Sequence, residues 1–104
     1  MTKIKNQIEN IINDFQQKGE ERRSSGAYIF SGHNVAKDML AAVAYAREIV
    51  YGFEFTNNAE RDSLDLSSLI ENSREEFEQI HTDPEYYGTG TLKSISDEVL
   101  KLTR

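Results

Sequence analysis

The sequence contains no cysteine, a single proline and no long apolar run, and each absence narrows what the protein can be. Without cysteine, disulfides, zinc–thiolate sites and thiol catalysis are all excluded. The longest apolar run extends from Met39 to Ala46, whereas a membrane-spanning helix requires about 20 residues. No Asn-x-Ser/Thr sequon is present, and the first residues form a charged amphipathic stretch instead of an apolar signal core. We therefore expect a soluble, cytoplasmic protein.

The chain nevertheless contains enough apolar material to fold. Its 104 residues fit a single domain spanning 1–104, and a domain of this length buries roughly 60–70% of the surface that its unfolded chain exposes. Disordered chains are poor in aromatic residues, whereas this one contains five Tyr and five Phe. Composition therefore predicts a globular domain.

The negative charge is concentrated in one segment. The net charge of the chain is −6. Residues 59–88 hold nine acidic and two basic side chains, so their net charge is −7 and that of the remaining residues is +1. Because Lys and Arg contacts to phosphate supply most non-specific affinity for nucleic acid, this distribution disfavours direct nucleic-acid binding.

Apolar residues recur at helical spacing in four segments, which predicts a mainly α fold. The first stripe is Ile4, Ile8, Ile11, Ile12 and Phe15, and the second is Val35, Met39, Ala42, Val43, Ala46, Ile49 and Val50. The third is Leu66, Leu69, Ile70, Ser73, Phe77 and Ile80, and the last is Leu92, Ile95, Val99 and Leu102. We expect the first helix to fade after Gly19 and the second to run from about Asn34 to Gly52.

The third helix is expected to run without a break from Ser63 or Asp65 to about His81. Thr82, Pro84 and Glu85 then predict a single capped turn, which the glycines of Gly88-Thr89-Gly90 should end before Thr91 caps the last helix. Residues 27–30 are expected to form a short strand or a buried extended segment, and residues 53–56 a short strand. The predicted fold is a compact bundle of about four helices with one or two very short strands, the alternative being a small α+β domain with a hairpin.

The second helix is apolar on nearly every side between Leu40 and Ala46. Such a helix is either the centre of the domain or part of an interface between copies. The sequence leaves both readings open, so a homo-oligomer formed through the helix at about 35–51 is one prediction.

Three glutamates of the third helix, Glu71, Glu75 and Glu78, follow one another at spacings of four and three. On an unbroken helix they form a stripe of like charges, which repel one another. Asp62 and Glu85 extend this negative field. The stripe is either a solvated face or a surface that meets a basic partner through complementary potential.

A second candidate site is the Gly88-Thr89-Gly90-Thr91 segment. A loop leading into a helix offers free N–H groups and hydroxyls that bind phosphate or carboxylate. On this interpretation Thr89, Gly90 and Thr91 hold an anion. Flanking side chains assist: Tyr86 and Tyr87 stack on a base, and Arg22 and Arg23 reach the same anion.

The chain shows no recognisable catalytic motif. His33 and His81 are far apart and neither belongs to a metal-binding pair, so we predict no metal site and no cofactor. Enzymatic activity would need a cleft around one of these histidines.

The leading hypothesis for function is a small, acidic, non-enzymatic interaction protein. It would place its acidic helix face on a basic surface of a nucleic-acid-binding partner, as a phage-type or accessory inhibitor does. The alternative hypothesis is a protein that binds or sequesters a small anionic ligand such as a nucleotide.

Overall fold

Five helices and one short β-hairpin make up the part of the chain that this computed structural model describes, residues 3–25, 29–30, 33–80 and 85–102. In chain order the elements are α1 (Lys3–Ser25), β1 (Ile29–Phe30), β2 (His33–Asn34), α2 (Val35–Gly52), α3 (Ala59–Asn72), α4 (Arg74–Ile80) and α5 (Glu85–Lys101). The predicted mainly α bundle is therefore confirmed. None of the helices within these ranges is both long and apolar enough to cross a membrane.

The core forms where the predicted apolar stripes of α1, α2, α3 and α5 meet. Helix α2 packs against α1 on one side and α5 on another, and α5 also packs against α3. The side chains of this core are buried or nearly so: Ile4, Ile8, Ile12, Ala42, Val43, Ala46, Val50, Leu66, Ile70, Phe77, Leu92, Ile95 and Val99. Each large aliphatic or aromatic side chain removed from water in this way contributes about 1.5–3 kcal/mol, so packing holds these amphipathic helices together. Leu69, predicted to face inward, is instead 48% exposed.

The two predicted strands have different outcomes. Strands β1 and β2 pair antiparallel, with Ile29 opposite Asn34 and Phe30 opposite His33, so the strand at 27–30 is confirmed for residues 29–30, while 27–28 lie outside the described residues. The strand predicted at 53–56 is wrong. This segment is a connection without strand pairing, in which the rings of Phe53 and Phe55 meet edge to face with their centroids 4.9 Å apart. Its alternating pattern arises because both rings pack on the core.

Ser73 divides the predicted third helix into two, so the unbroken helix to His81 is wrong. The Ser73 N–H donates to the carbonyl oxygens of Leu69 and Ile70, and its Oγ also donates to Ile70 O at 2.7 Å. The Ser73 carbonyl in turn accepts from the N–H of Phe77 at 2.9 Å. Ser73 thus ends α3 and begins α4, because serine competes well for helix-terminal backbone groups.

Helix α5 begins at Glu85 and passes through Gly88, Thr89, Gly90 and Thr91 without interruption. The break predicted at these residues is therefore wrong. Two glycines in a helix cost about 1 kcal/mol each relative to alanine, but Thr89 and Thr91 are buried here and Gly88 packs directly against Phe77. Tertiary packing therefore outweighs the weak helix propensity of the two glycines. The cap predicted at Thr82 lies outside the described residues.

Helix α1 continues past Gly19 to Ser25. Gly19 is buried, and a β-carbon there would lie 2.9 Å from Leu40 Cδ2 on α2. The glycine therefore allows α1 and α2 to approach closely and does not end α1.

Candidate interaction surfaces

The predicted stripe of three glutamates is divided between two helices. The break at Ser73 places Glu71 on α3 and the other two glutamates on α4. Glu71 is half-buried and accepts a hydrogen bond from Arg74 Nη1 at 2.8 Å. It also lies 3.3 Å from Ser96 Oγ of α5, a hydroxyl that donates to the closer Lys93 carbonyl oxygen at 2.8 Å as well. Its carboxylate therefore joins α3 to α5, so it is largely satisfied within the chain.

Asp62 also differs from the prediction, because its side chain is fully buried. Its carboxylate accepts from the Thr56 N–H at 3.0 and 3.1 Å and from Thr56 Oγ1 at 2.8 Å. These bonds fasten the connection after α2 to the first turns of α3. Asp62 thus stabilises the fold and is not part of an exposed acidic patch.

Helix α4 does present carboxylates to solvent. Glu75 and Glu78 are exposed, lie three positions apart on neighbouring turns, and have no side-chain partner within the described residues. Between them Phe77 is fully buried, with its ring edge to face against Tyr45 of α2 at a centroid distance of 5.5 Å. One side of this short helix is therefore anchored, while the other carries two carboxylates that have no partner among the described residues.

The link between α4 and α2 is strengthened by a hydrogen bond from the Tyr45 hydroxyl to Glu76 Oε1. Burial raises the pKa of Tyr45 to about 12, with further contributions from the hydrogen bond to Glu76 and from its negative charge. Tyr45 therefore stays protonated and keeps donating to Glu76 well above neutral pH.

Helix α3 adds less to the negative surface than its sequence indicates. Glu60 is exposed, whereas Asp65 faces Arg61 at 3.6 Å in a pair whose side chains are both more than half exposed. Such exposed pairs contribute little to stability, but they do partly neutralise the local field. The side chain of Glu85, the last predicted member of the surface, lies outside the described residues, although its backbone begins α5.

The anion site predicted at the Gly-Thr-Gly-Thr segment required the free N–H groups of a helix start, and the segment does not provide them. Only the first four N–H groups of a helix lack intrahelical acceptors, and Thr89, Gly90 and Thr91 are the fifth to seventh residues of α5. Tyr86 and Tyr87 fall in the first turn of α5, with side chains outside the described set. Exposed Arg22 and Arg23 occupy the last turn of α1, where positive charge favours the helix dipole.

The two histidines add no site within the described residues. His33 belongs to β2, but its side chain is not among those described, and His81 lies outside the described ranges. Across those ranges, no three His, Asp or Glu side chains come together in a way that would hold a metal ion.

A second surface lies between α1 and α2, on the helix for which the sequence left an interface between copies open. An open groove of about 460 Å³ is lined by Gln16 of α1 and by residues of α2 that include Leu40, Ala44 and Tyr51. Tyr51 is 93% exposed, more than any other large apolar side chain in the described part of the chain. Helix α2 therefore contributes to the core on one side and leaves apolar surface uncovered on another.

No family model, curated protein or solved structure matches this chain. Function is therefore inferred from the acidic side of α4 described above.

Proposed function

We propose that this chain is a small non-enzymatic interaction protein that binds a basic surface on a nucleic-acid-binding partner. The acidic surface that would make this contact is the exposed side of α4, defined by Glu75 and Glu78. The observation that carries the proposal is that both carboxylates are exposed and unpartnered within the described residues, on a helix held in place by buried Phe77.

The charge around this surface supports the same partner chemistry. Residues 59–80 carry seven acidic and two basic side chains. Like charges close together on a helix cost a few tenths of a kcal/mol, and a basic partner would relieve that repulsion. A concentrated negative field also accelerates encounter with a positive surface and disfavours wrong partners.

The proposed action is stoichiometric. Carboxylates accept charge-assisted hydrogen bonds from Arg and Lys, as phosphate oxygens do. An acidic helix seated in a basic groove would therefore occupy the positions that nucleic-acid phosphates take, and the protein would act as an inhibitor or accessory factor of its partner.

The test compares two charge-reversed variants in affinity capture from a nuclease-treated lysate. Glu75→Lys/Glu78→Lys reverses the acidic surface. Glu9→Lys/Asp14→Lys is the matched control, because both residues are exposed on α1 and the change in net charge is the same. Captured proteins are identified by mass spectrometry, and added duplex DNA or RNA serves as a competitor.

The proposal expects the wild type and the α1 control to retain a nucleic-acid-binding protein that the α4 variant loses. It also expects that nucleic acid displaces this protein and that raising the salt concentration weakens its retention, because screening reduces interactions between exposed charges. Retention of the same proteins by the α4 variant, or insensitivity to nucleic acid, would contradict the proposal.

A further inference from the structure

We draw no further inference here: the strongest candidate, the open groove between α1 and α2 that is lined by Leu40, Ala44 and Tyr51, is an unpartnered apolar face, and nothing in the described part of the chain shows what covers it.

Discussion

The ring of Phe77 on α4 packs directly against the backbone of α5 at Gly88. A β-carbon at position 88 would collide with Phe77 Cε2 and lie 2.9 Å from Cζ. Phe77 is fully buried, so the ring has little space into which it can move. This contact fixes α4, and with it the acidic surface, on the bundle.

Replacing the two α5 glycines by alanine should have opposite effects. Gly88→Ala should lower the free energy of unfolding by about 1–3 kcal/mol, because overpacking a filled core outweighs the gain in helix propensity. Gly90→Ala should raise it by about 0.5–1 kcal/mol, because a β-carbon at residue 90 meets nothing within 4 Å. Urea unfolding of both variants measures the difference. A stabilising Gly88→Ala would show that Phe77 does not pack as described.

Removing the Asp62 carboxylate should destabilise the protein much more than removing its exposed neighbour. Asp62→Ala deletes the acceptor for the Thr56 N–H and hydroxyl, which should cost about 2 kcal/mol as a buried, charge-assisted interaction. Asp65→Ala, on the exposed side of α3, should change stability by less than about 0.5 kcal/mol. Equal effects in chemical denaturation would contradict the structural role of Asp62.

Tyr45 should make stability depend on alkaline pH. The pKa of Tyr45 is raised from 10.0 to about 12, by burial first and then by the hydrogen bond to Glu76. The folded protein therefore retains a proton that the unfolded chain releases above pH 10. The resulting stabilisation is fully present below pH 10 and is lost as the pH rises towards 12.

Tyr45→Phe isolates this contribution while keeping the ring that meets Phe77. The variant should lose about 1 kcal/mol near pH 8 through the missing hydrogen bond. Its deficit relative to wild type should shrink between pH 10 and 12, as followed by urea unfolding at a series of pH values. A deficit that grows across this interval would mean that the tyrosine ionises more easily in the folded state.

Glu71 and Glu78, which the sequence predicts on one stripe, should respond differently to charge reversal, because Glu71 is bound within the fold and Glu78 is exposed. Glu71→Lys removes the acceptor for Arg74 and Ser96 and adds a positive charge beside Arg74, so it should cost about 1–2 kcal/mol. Glu78→Lys, exposed in the last turn of α4, should stay within about 0.5 kcal/mol of wild type. Similar melting temperatures for the two variants would show that Glu71 is not tied to α5.

Apolar periodicity and capping residues predicted much of the secondary structure. The stripe of Ile4, Ile8 and Ile12 predicted a helix whose core face is buried as expected. Asn58, a residue type favoured at helix N-termini, caps α3 by accepting from the Arg61 N–H at 3.0 Å. Periodicity and capping depend on residues a few positions apart, so one sequence is enough to find them.

The errors occurred where a distant partner decided the local conformation. Gly88 and Gly90 indicate a break by propensity, yet the helix persists because Phe77, eleven residues earlier in the chain, packs where a side chain at residue 88 would stand. The groove beside α2 could not be located from the sequence for the same reason. Its other wall is Gln16 of α1, and no pattern within α2 specifies how α1 crosses it.

The sequence by itself determined that the chain is mainly helical, which stripes are buried and where its acidity is concentrated. Only the tertiary structure decided which of the acidic side chains are exposed to solvent and which are bound within the fold. Asp62 and Glu71 are bound to Thr56, Arg74 and Ser96 within the fold, whereas Glu75 and Glu78 remain exposed on α4. The physical reason is that charge is a property of each residue, while exposure depends on which helix packs against it.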